Sequence, residues 1–376
     1  MVVIVHFAPL ELYPPIQNLI EVVDQRDEPY ERSILSTKST NNRLSLISST
    51  NPNTKLFRIG KSNDRFKPLI RYWNYFLFYA SSLLIIIWKR PSLIFYYETV
   101  SCWPAYFYKT FINRKCKLYI HYHEYTSPEE YRNGTLLVRI FNRLEKHLYP
   151  LANWISHTNK YRVNLFLADI KPITPTNVQV IPNFPPRKWF SSKNEIIENP
   201  LRIVYVGALS IDSMYTKQFV SWVLEQKGSV LFDIYSLYID QPAADYFLEL
   251  DSNFIELKQE VDYKNLPSVL SNYDVGVILY KGHLANYVYN APNKLFEYLA
   301  VGLDVWFPVE LKGTQDYVRA DRNPKILSVD FKNMETFDLH LAIRRNTENA
   351  NDDFFCENAF DPLLNKIKND VDSVLA

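Results

Sequence analysis

The amino-acid sequence predicts an α/β protein of two doubly wound domains, each a parallel sheet with helices on both faces. Three observations lead to this prediction. The chain has 376 residues, which is the size of about two domains. Strand-like apolar runs alternate with helical patterns along the whole chain, as in parallel sheets. Prolines cluster at residues 182–186, where the balance of charge also changes sign, so we expect a hinge there.

The expected elements follow one another in the same order in both halves. The predicted strands of domain 1–185 are 2–7, 32–37, 55–59, 92–98, 117–122, 153–157 and 178–182. Its predicted helices are 15–24, 66–89, 102–112, 134–149 and 159–168. The predicted strands of domain 186–376 are 201–206, 230–236, 254–257, 273–279, 303–307 and 325–329. Its predicted helices are 215–227, 241–250, 264–272, 292–301, 335–348 and 360–374, with the last of these able to pack back on the first domain.

Composition excludes several classes of protein. A hydrophobic fraction of 47% with 22% charged residues is a globular balance, so a disordered, collagen-like or disulfide-stapled chain is excluded. The chain has only 8 glycines and contains no GxGxxG, GxxxxGK[ST] or GxSxG motif. A Rossmann dehydrogenase, a P-loop NTPase and an α/β-hydrolase therefore lack their signatures.

Charge is divided unevenly between the halves. Residues 1–185 hold 23 basic and 13 acidic residues (+10), and the remainder holds 19 and 28 (−9). A basic first half suits a phosphate-bearing partner or an anionic membrane surface, and no nucleic-acid-binding motif accompanies it. The three cysteines are widely spaced and the amino terminus does not resemble a signal peptide. We expect a cytoplasmic protein, with the inner face of the membrane as a further location.

The longest apolar run, from Tyr75 to Trp88, has 14 residues and is short for a membrane span. One interpretation is a buried core helix. The alternative is that its neighbourhood lies on a membrane, because Tyr72 and Trp73 precede it among basic residues. Those basic residues are Lys55, Arg58, Lys61, Arg65, Lys67 and Arg71.

A doubly wound sheet binds its ligand at the carboxyl ends of the strands, where the strand order reverses. In the second half this rule selects the loops after the first and fourth strands. Those loops contain Gly207 and Gly282, which would allow a backbone to approach a ligand closely.

The segment from Asn290 to Gly302, NAPNKLFEYLAVG, is the strongest candidate site. Pro292 in a first turn and Asn290 as a cap predict a helix start, whose free N–H groups form an anion site to which Lys294 adds a full charge. Glu297, about one and a half turns further in, would accept hydrogen bonds from sugar hydroxyls. The alternative is an ordinary glutamate that complements the helix dipole.

This segment resembles the donor-binding motif of retaining GT-B glycosyltransferases, the glycogen-synthase-like group that transfers sugars from nucleoside diphosphates. Three other segments occur in the same order as in this family. They are IPNF at Ile181 to Phe184, the strand and loop at Tyr205 to Gly207, and the run from Leu266 to Tyr280. The resemblance implies that Glu297 holds the ribose. It also implies that the turn comprising Asn290, Pro292, Asn293 and Lys294 holds the diphosphate, with Gly207 beside it.

The sequence departs from the family at two places. Tyr289 stands eight positions before Glu297, where the family often has a second glutamate that contacts the donor. Ala208 and Ser213 stand where the family commonly has arginine and lysine. Lys217, further along, either replaces that lysine or is a plain helix-surface residue.

The segment His121 to Tyr125, HYHEY, ends a predicted strand of the first domain. His121 and His123 would share one face, but no third metal ligand has suitable spacing. The segment resembles the family's HE turn, which faces the interdomain cleft. The resemblance implies that His123 touches the transferred sugar or the leaving phosphate, and the alternative is a packed structural histidine. Glu124 would have a capping, positioning or acid–base role.

The sequence therefore predicts a GT-B glycosyltransferase that moves a sugar from a nucleoside-diphosphate sugar to a glycan or lipid-linked acceptor, in surface polysaccharide synthesis. His123 and Glu124 are its candidate catalytic residues, and no cofactor or metal is expected. Two alternatives stay open. One is a sugar-nucleotide epimerase of similar fold, and the other is a catalytically degenerate subunit that binds a nucleotide sugar or glycan.

Overall fold

The computed structural model describes the whole chain except residues 27, 42–45, 63–65, 172–176, 192–198, 344, 345, 347, 351 and 376. The chain divides into two compact units. The first comprises Met1–Asn183 together with Cys356–Ala376, and the second is Phe184–Phe355. The break after residue 183 lies two residues before the boundary expected from the proline cluster, and the last helix belongs to the first unit.

The first unit contains a seven-stranded sheet with the order β3-β2-β1-β4-β5-β6-β7. Its strands are β1 (Val2–His6), β2 (Arg32–Lys38), β3 (Thr54–Lys61), β4 (Leu93–Tyr97), β5 (Lys117–Tyr122), β6 (Trp154–His157) and β7 (Val178–Val180). All pairs are parallel, and in the register Val3 lies between Ser33 and Ile94. The strand order reverses between β1 and β4, which places the carboxyl ends of these two strands at the switch point.

Helices cover both faces of this sheet, since β1 and β4 are buried along their whole length. The helices are α1 (Pro14–Gln25), α2 (Pro68–Lys89), α3 (Cys102–Phe107), α4 (Pro128–Asn133), α5 (Leu136–Lys146) and α6 (Lys160–Asp169). The carboxyl-terminal helix α14 (Cys356–Leu375) packs against α1.

The second unit contains a six-stranded parallel sheet with the order β10-β9-β8-β11-β12-β13. Its strands are β8 (Leu201–Val206), β9 (Val230–Tyr235), β10 (Ile255–Lys258), β11 (Val275–Val277), β12 (Asp304–Pro308) and β13 (Ile326–Val329). Its helices are α7 (Thr216–Glu225), α8 (Gln241–Glu249), α9 (Leu266–Leu270), α10 (Ala285–Val288), α11 (Asn293–Ala300), α12 (Lys312–Gln315) and α13 (Leu339–Ile343). The order reverses between β8 and β11, so the two loops selected from the sequence do follow the strands of the switch point.

One glycine fixes how α11 packs on this sheet. A Cβ atom on Gly276 of β11 would lie 2.2 Å from Cδ2 of Tyr298, so only glycine leaves room for this ring. The Tyr298 hydroxyl accepts a hydrogen bond from the backbone N–H of Val206 at 3.1 Å. Helix α11 is therefore held against the carboxyl ends of β8 and β11.

Helix α2 differs from the expectation of a buried core helix. It has 22 residues and is, by length and composition, the one described helix long and apolar enough to cross a membrane. Only one face is buried, through Phe78, Tyr79, Ser82 and Ile86. The 14-residue run of the sequence is part of this longer helix, because the preceding residues 68–74 continue the same helical turns.

Candidate functional site

The candidate donor site lies at the switch point of the second unit. Gly207 follows β8 with a φ of +136°, a conformation that side chains rarely adopt. A Cβ atom on Gly207 would lie 2.7 Å from Nζ of Lys294. The ammonium group of Lys294 therefore lies directly against the backbone of Gly207.

Two tyrosines hold the Lys294 ammonium in this place. Nζ donates a hydrogen bond to the hydroxyl of Tyr280 at 2.7 Å, and it lies 5.1 and 5.4 Å from the ring centroids of Tyr280 and Tyr205. The Tyr205 hydroxyl donates to the carbonyl of Ala208 at 2.6 Å. Sequence reasoning missed both tyrosines as site residues, although each stands at the carboxyl end of a switch-point strand.

The turn before α11 is fixed by a second close approach of two backbones. A Cβ atom on Gly313 would lie 2.5 Å from the carbonyl carbon of Tyr289, and the Thr314 hydroxyl donates to the carbonyl of Asn290 at 2.9 Å. The expectation that Asn290 caps the helix is wrong, because α11 begins at Asn293 with Pro292 in the cap position. No side-chain hydrogen bond caps this helix. Among the described residues no side chain caps the N–H groups of Asn293 and Lys294, which can therefore bind an anion.

Glu297 lies one turn beyond Lys294 on α11, and only 6% of it is exposed. Burial raises the pKa of its carboxyl group to about 7, and the charge of Lys294 opposes this shift. Within the described structure no hydrogen bond reaches this carboxylate. A largely buried carboxylate to which the described residues donate no hydrogen bond can accept hydrogen bonds from a ligand.

Lys217 contacts a neighbouring helix of this unit. It is exposed at the start of α7, with Nζ 5.4 Å from the ring centroid of Tyr246 on α8. Lys281, which sequence reasoning missed, fastens the loop after β8. Its Nζ donates to the carbonyls of Ile211 and Asp212, both at 3.1 Å. The loop after β8 has no basic residue of its own. Lys281, from the loop after β11, supplies one, and its hydrogen bonds hold the backbone of the loop after β8.

The second candidate site lies in the first unit, just after β5. His123 is 6% exposed, and its backbone N–H donates to Oε1 of Glu98 at 2.6 Å. The backbone N–H of Glu124 donates to the same oxygen at 3.3 Å, and Arg162 donates to the carbonyl of His123 at 2.6 Å. Glu98 has a φ of +63°, which is unusual outside glycine. The carboxylate of the half-buried Glu98 and the buried guanidinium of Arg162 thus fix the HE turn from both sides.

The imidazole of His123 is packed among other rings. It stacks on the ring of Tyr97, with the two ring centroids 5.0 Å apart. The ring centroids of His121 and His6 lie 4.9 and 5.8 Å from that of His123. Neither ring nitrogen has a hydrogen-bond partner within the described structure. Burial, and then the neighbouring His121, His6 and Arg162, hold the pKa of His123 well below its usual range. The ring is neutral at physiological pH, with one donor and one acceptor available.

Glu98 is the functional candidate that sequence reasoning missed in this unit. Burial raises the pKa of its carboxyl group to about 8, and the nearby Glu124 adds to the shift. The position of Glu98 in the sequence could have identified it, because it directly follows β4, and β4 forms the switch point with β1. Glu124 itself is exposed.

His121, the other histidine of the pair, is held by a side chain of β6. Nδ1 of His121 lies 2.9 Å from Oγ of Ser156 and makes a hydrogen bond with it. No group of three or more His, Cys, Asp or Glu side chains could hold a metal ion among the described residues.

Comparisons with known proteins identify the fold. No protein-family model matches the sequence, and no curated protein matches it. Solved structures match along nearly the whole chain. Sucrose-phosphate synthase from Thermosynechococcus elongatus has a TM-score of 0.60 at 12% identity, covering 99% of this chain and 94% of its own. Anabaena HepE in complex with UDP and glucose has a TM-score of 0.56 at 13% identity, covering 100% and 97%.

A third match is a UDP-GlcNAc 2-epimerase from Neisseria meningitidis bound to UDP-GlcNAc, with a TM-score of 0.56 at 11% identity, covering 98% and 99%. These likenesses, together with the two parallel sheets, show that the chain has the GT-B fold predicted from its sequence. The predicted donor residues Gly207, Lys294 and Glu297 are brought together in this fold, and the contact described for Lys217 is with the ring of Tyr246.

Proposed function

We propose that this protein is a glycosyltransferase that moves a sugar from a nucleoside-diphosphate sugar to a glycan or lipid-linked acceptor, in surface polysaccharide synthesis. One observation carries the proposal. The Lys294 ammonium lies against the Gly207 backbone at the start of α11, and the buried carboxylate of Glu297 lies one turn further on. Together they offer positive charge for a diphosphate and an acceptor for ribose hydroxyls, at the place where this fold class binds ligands.

The donor residues have separate roles in this proposal. The first N–H groups of α11 and the Lys294 ammonium bind the diphosphate, and the hydroxyl of Tyr280 keeps the ammonium in place. Glu297 accepts hydrogen bonds from the ribose. Tyr289 replaces a carboxylate of the family, so its phenol ring gives the sugar end of the site a different chemistry.

Transfer breaks the bond between the anomeric carbon and the diphosphate oxygen, and the electron pair leaves with the diphosphate. The anomeric carbon forms a bond to a hydroxyl oxygen of the acceptor, and the proton of that hydroxyl passes to the departing diphosphate. The negative charge that develops there is stabilised by the helix start and Lys294, which cost no reorganisation because they are already in place. These groups supply the charge that a metal would otherwise bring, so we propose a metal-independent reaction. The resemblance of the segment 290–302 supports a retaining outcome.

His123 and Glu124 serve the acceptor and the transferred sugar. A neutral, buried imidazole can donate one hydrogen bond and accept another. Because it carries no charge, it avoids the desolvation cost of an ion in an apolar environment. Glu98 fixes the backbone of both residues and so aims them. Glu124 is exposed and has a positioning role in this proposal.

A sugar-nucleotide epimerase is the second candidate. The UDP-GlcNAc 2-epimerase from Neisseria meningitidis named above, which is bound to UDP-GlcNAc, has the same fold. Acid–base chemistry on a sugar needs carboxyl groups, and Glu98 is a buried carboxyl with a pKa of about 8.

Product analysis separates these functions. A thermal-shift panel of UDP-, GDP-, ADP-, CMP- and dTDP-sugars first identifies the donor, since a ligand at 100 times its Kd adds about 2.7 kcal/mol. The selected donor is then incubated with and without glycan acceptors. A glycosyltransferase releases nucleoside diphosphate when an acceptor is present, and an epimerase forms a new nucleotide sugar without release. Binding with neither product would identify a binding subunit, and no binding would contradict the proposal.

We also propose that α2 rests on the surface of an anionic membrane. Its outward face carries large apolar side chains at helical spacing along the full helix, which is about 33 Å long. They are Leu69, Trp73, Phe76, Leu84, Ile87 and Trp88, of which Leu69 is 85% and Trp88 71% exposed. An exposed apolar stripe of this length favours an interaction surface, and tryptophans near both ends suit a lipid interface.

The charges beside α2 support the same partner. Lys61, Lys67 and Arg71 flank its first turns, and each lysine near an anionic surface contributes about 1 kcal/mol. Arg58 is not available for this purpose, because it pairs with Glu11 at 2.6 Å. Arg65 lies outside the described residues. The opposite face of α2 is packed on the sheet, which favours a helix that lies on the membrane over one that crosses it.

Cosedimentation with vesicles tests this location. Vesicles with anionic lipid should bind the protein, neutral vesicles should not, and high salt should release it. Lys61→Glu with Lys67→Glu should abolish binding, whereas Lys115→Glu with Lys264→Glu, the same change of charge at exposed sites elsewhere, should not. Failure to bind anionic vesicles at low salt would refute the proposal, and resistance to salt would indicate a spanning helix.

A further inference from the structure

The first unit contains a cavity of about 550 Å³ beside α5, which none of the candidate catalytic or donor-binding residues lines. This volume suits a small saccharide or a drug-sized ligand. Aromatic side chains form part of its wall, namely Tyr122, Tyr125, Tyr131, Tyr149 and Phe166. Basic side chains form another part, namely Arg132, Arg139, Arg143 and Lys146.

The basic residues of this cavity are without acidic partners in the described structure. Arg139, Arg143 and Lys146 are spaced by four and three residues, so they share one face of α5. Like charges at this spacing repel one another, and no described ion pair compensates them. Asp169 is the acidic residue of the wall, and it already accepts a hydrogen bond from the Tyr125 hydroxyl at 2.5 Å. With four basic side chains and one carboxylate, the wall of the cavity carries a net positive charge.

The polar groups of the aromatic wall are engaged within the protein. The Tyr122 hydroxyl donates to that of Tyr149 at 3.2 Å, and Tyr149 donates to Oε2 of the buried Glu145 at 3.3 Å. The hydroxyl of Tyr131 pairs with that of Thr99 at 2.6 Å. Tyr122, Tyr125, Tyr149 and Phe166 are buried, and Tyr131, which is partly exposed, presents mainly ring surface to a ligand.

We propose that this cavity is a binding site for an acidic saccharide. Aromatic rings pack against the C–H faces of sugar rings, and guanidinium groups bind carboxylates or phosphates in a bidentate geometry. A neutral glycan would leave the arginines unused, and a bare anion would leave the aromatic wall unused. As an additional glycan site of a glycosyltransferase the cavity rests on the function proposed above, but binding itself can be measured without any transfer.

Calorimetry on the full chain tests the site with three probes: a trisaccharide of galacturonic acid, neutral maltotriose and inorganic phosphate. The acidic trisaccharide should bind at least tenfold more tightly than either of the others. Arg139→Glu with Arg143→Glu should weaken it at least tenfold and leave the affinity for the nucleotide sugar unchanged. Both side chains are exposed, so the fold should persist, and the milder Arg139→Gln with Arg143→Gln should give a smaller loss.

The control is Lys115→Glu with Lys264→Glu, which changes the net charge equally at exposed positions outside the cavity. An equal loss in this control would show nonspecific attraction and overturn the proposal. If phosphate bound as tightly as the trisaccharide, the cavity would be a simple anion site. If maltotriose bound as tightly, the charge of the saccharide would have no part in recognition. Either result, or no binding of the acidic probe, refutes it. A protein that binds the trisaccharide but no nucleotide sugar would refute only the function proposed above.

Discussion

The affinity for the donor should depend on the ionisation of Glu297. Burial raises the pKa of this carboxyl group to about 7 in the free protein, from an ordinary value of 4.5. The proposed ribose contact needs the ionised form, which accepts hydrogen bonds more strongly than the protonated one. With a pKa of about 7, roughly nine-tenths of the groups are ionised at pH 8 and about one-tenth at pH 6.

The expected effect on binding follows from these fractions. The donor Kd should rise about tenfold between pH 8 and pH 6, which corresponds to about 1.4 kcal/mol. Calorimetry with an intact nucleotide sugar measures it, because the diphosphate of such a donor carries no group that titrates in this range. In Glu297→Gln the pH dependence should disappear, since an amide can still hydrogen-bond but does not titrate. A constant Kd in the wild type, or the same slope in Glu297→Gln, would refute the reasoning.

Four further predictions concern the two sites. Gly207→Ala should lower the unfolding free energy by about 1–3 kcal/mol, measured by chemical denaturation, because the backbone conformation at this position is strained for any side chain. It should also weaken donor binding, measured by calorimetry, because the added Cβ atom would displace the Lys294 ammonium. Glu98→Gln should make stability less dependent on pH: the raised pKa of about 8 makes the wild type lose stability as pH rises from about 4.5 to 8, and denaturant titrations should show a smaller loss in the variant, where Glu297 still contributes. His123→Ala should lower turnover more than donor affinity, because His123 belongs to the first unit and the donor site to the second, and equal losses in kcat and Kd would contradict its assignment. EDTA should leave the rate of transfer unchanged, and loss of activity restored by a divalent cation would contradict metal independence.

The fold could be predicted almost completely from the sequence. Every predicted strand is present within two residues of its expected bounds, because buried parallel strands are uninterrupted apolar runs that differ clearly from amphipathic helices. The short helices α4, α10 and α12 were missed. Each has four to six residues, which is too short for a periodic pattern to be recognised. The predicted helix 335–348 includes residues outside the described part of the chain, and α13 accounts for its centre.

The candidate sites were only partly predictable, and the reason is tertiary. Lys294 and Glu297 stand in one continuous motif, so local sequence reveals them. Tyr280 and Glu98 reach their places through the strand order, which brings segments distant in the chain to one sheet edge. The cap expected at Asn290 failed because its carbonyl and turn are held by α12, a contact that no local pattern encodes.

The most direct test of the central claim is the affinity of the Lys294→Ala variant for the nucleotide sugar that the panel selects. The claim is that a helix start and this ammonium bind the donor diphosphate. A hydrogen bond to a charged group is worth roughly 1.5–3 kcal/mol, so the Kd should rise at least tenfold. Lys264→Ala, an exposed lysine of the same unit, should leave it unchanged. A stably folded Lys294→Ala protein with the wild-type Kd would contradict the account.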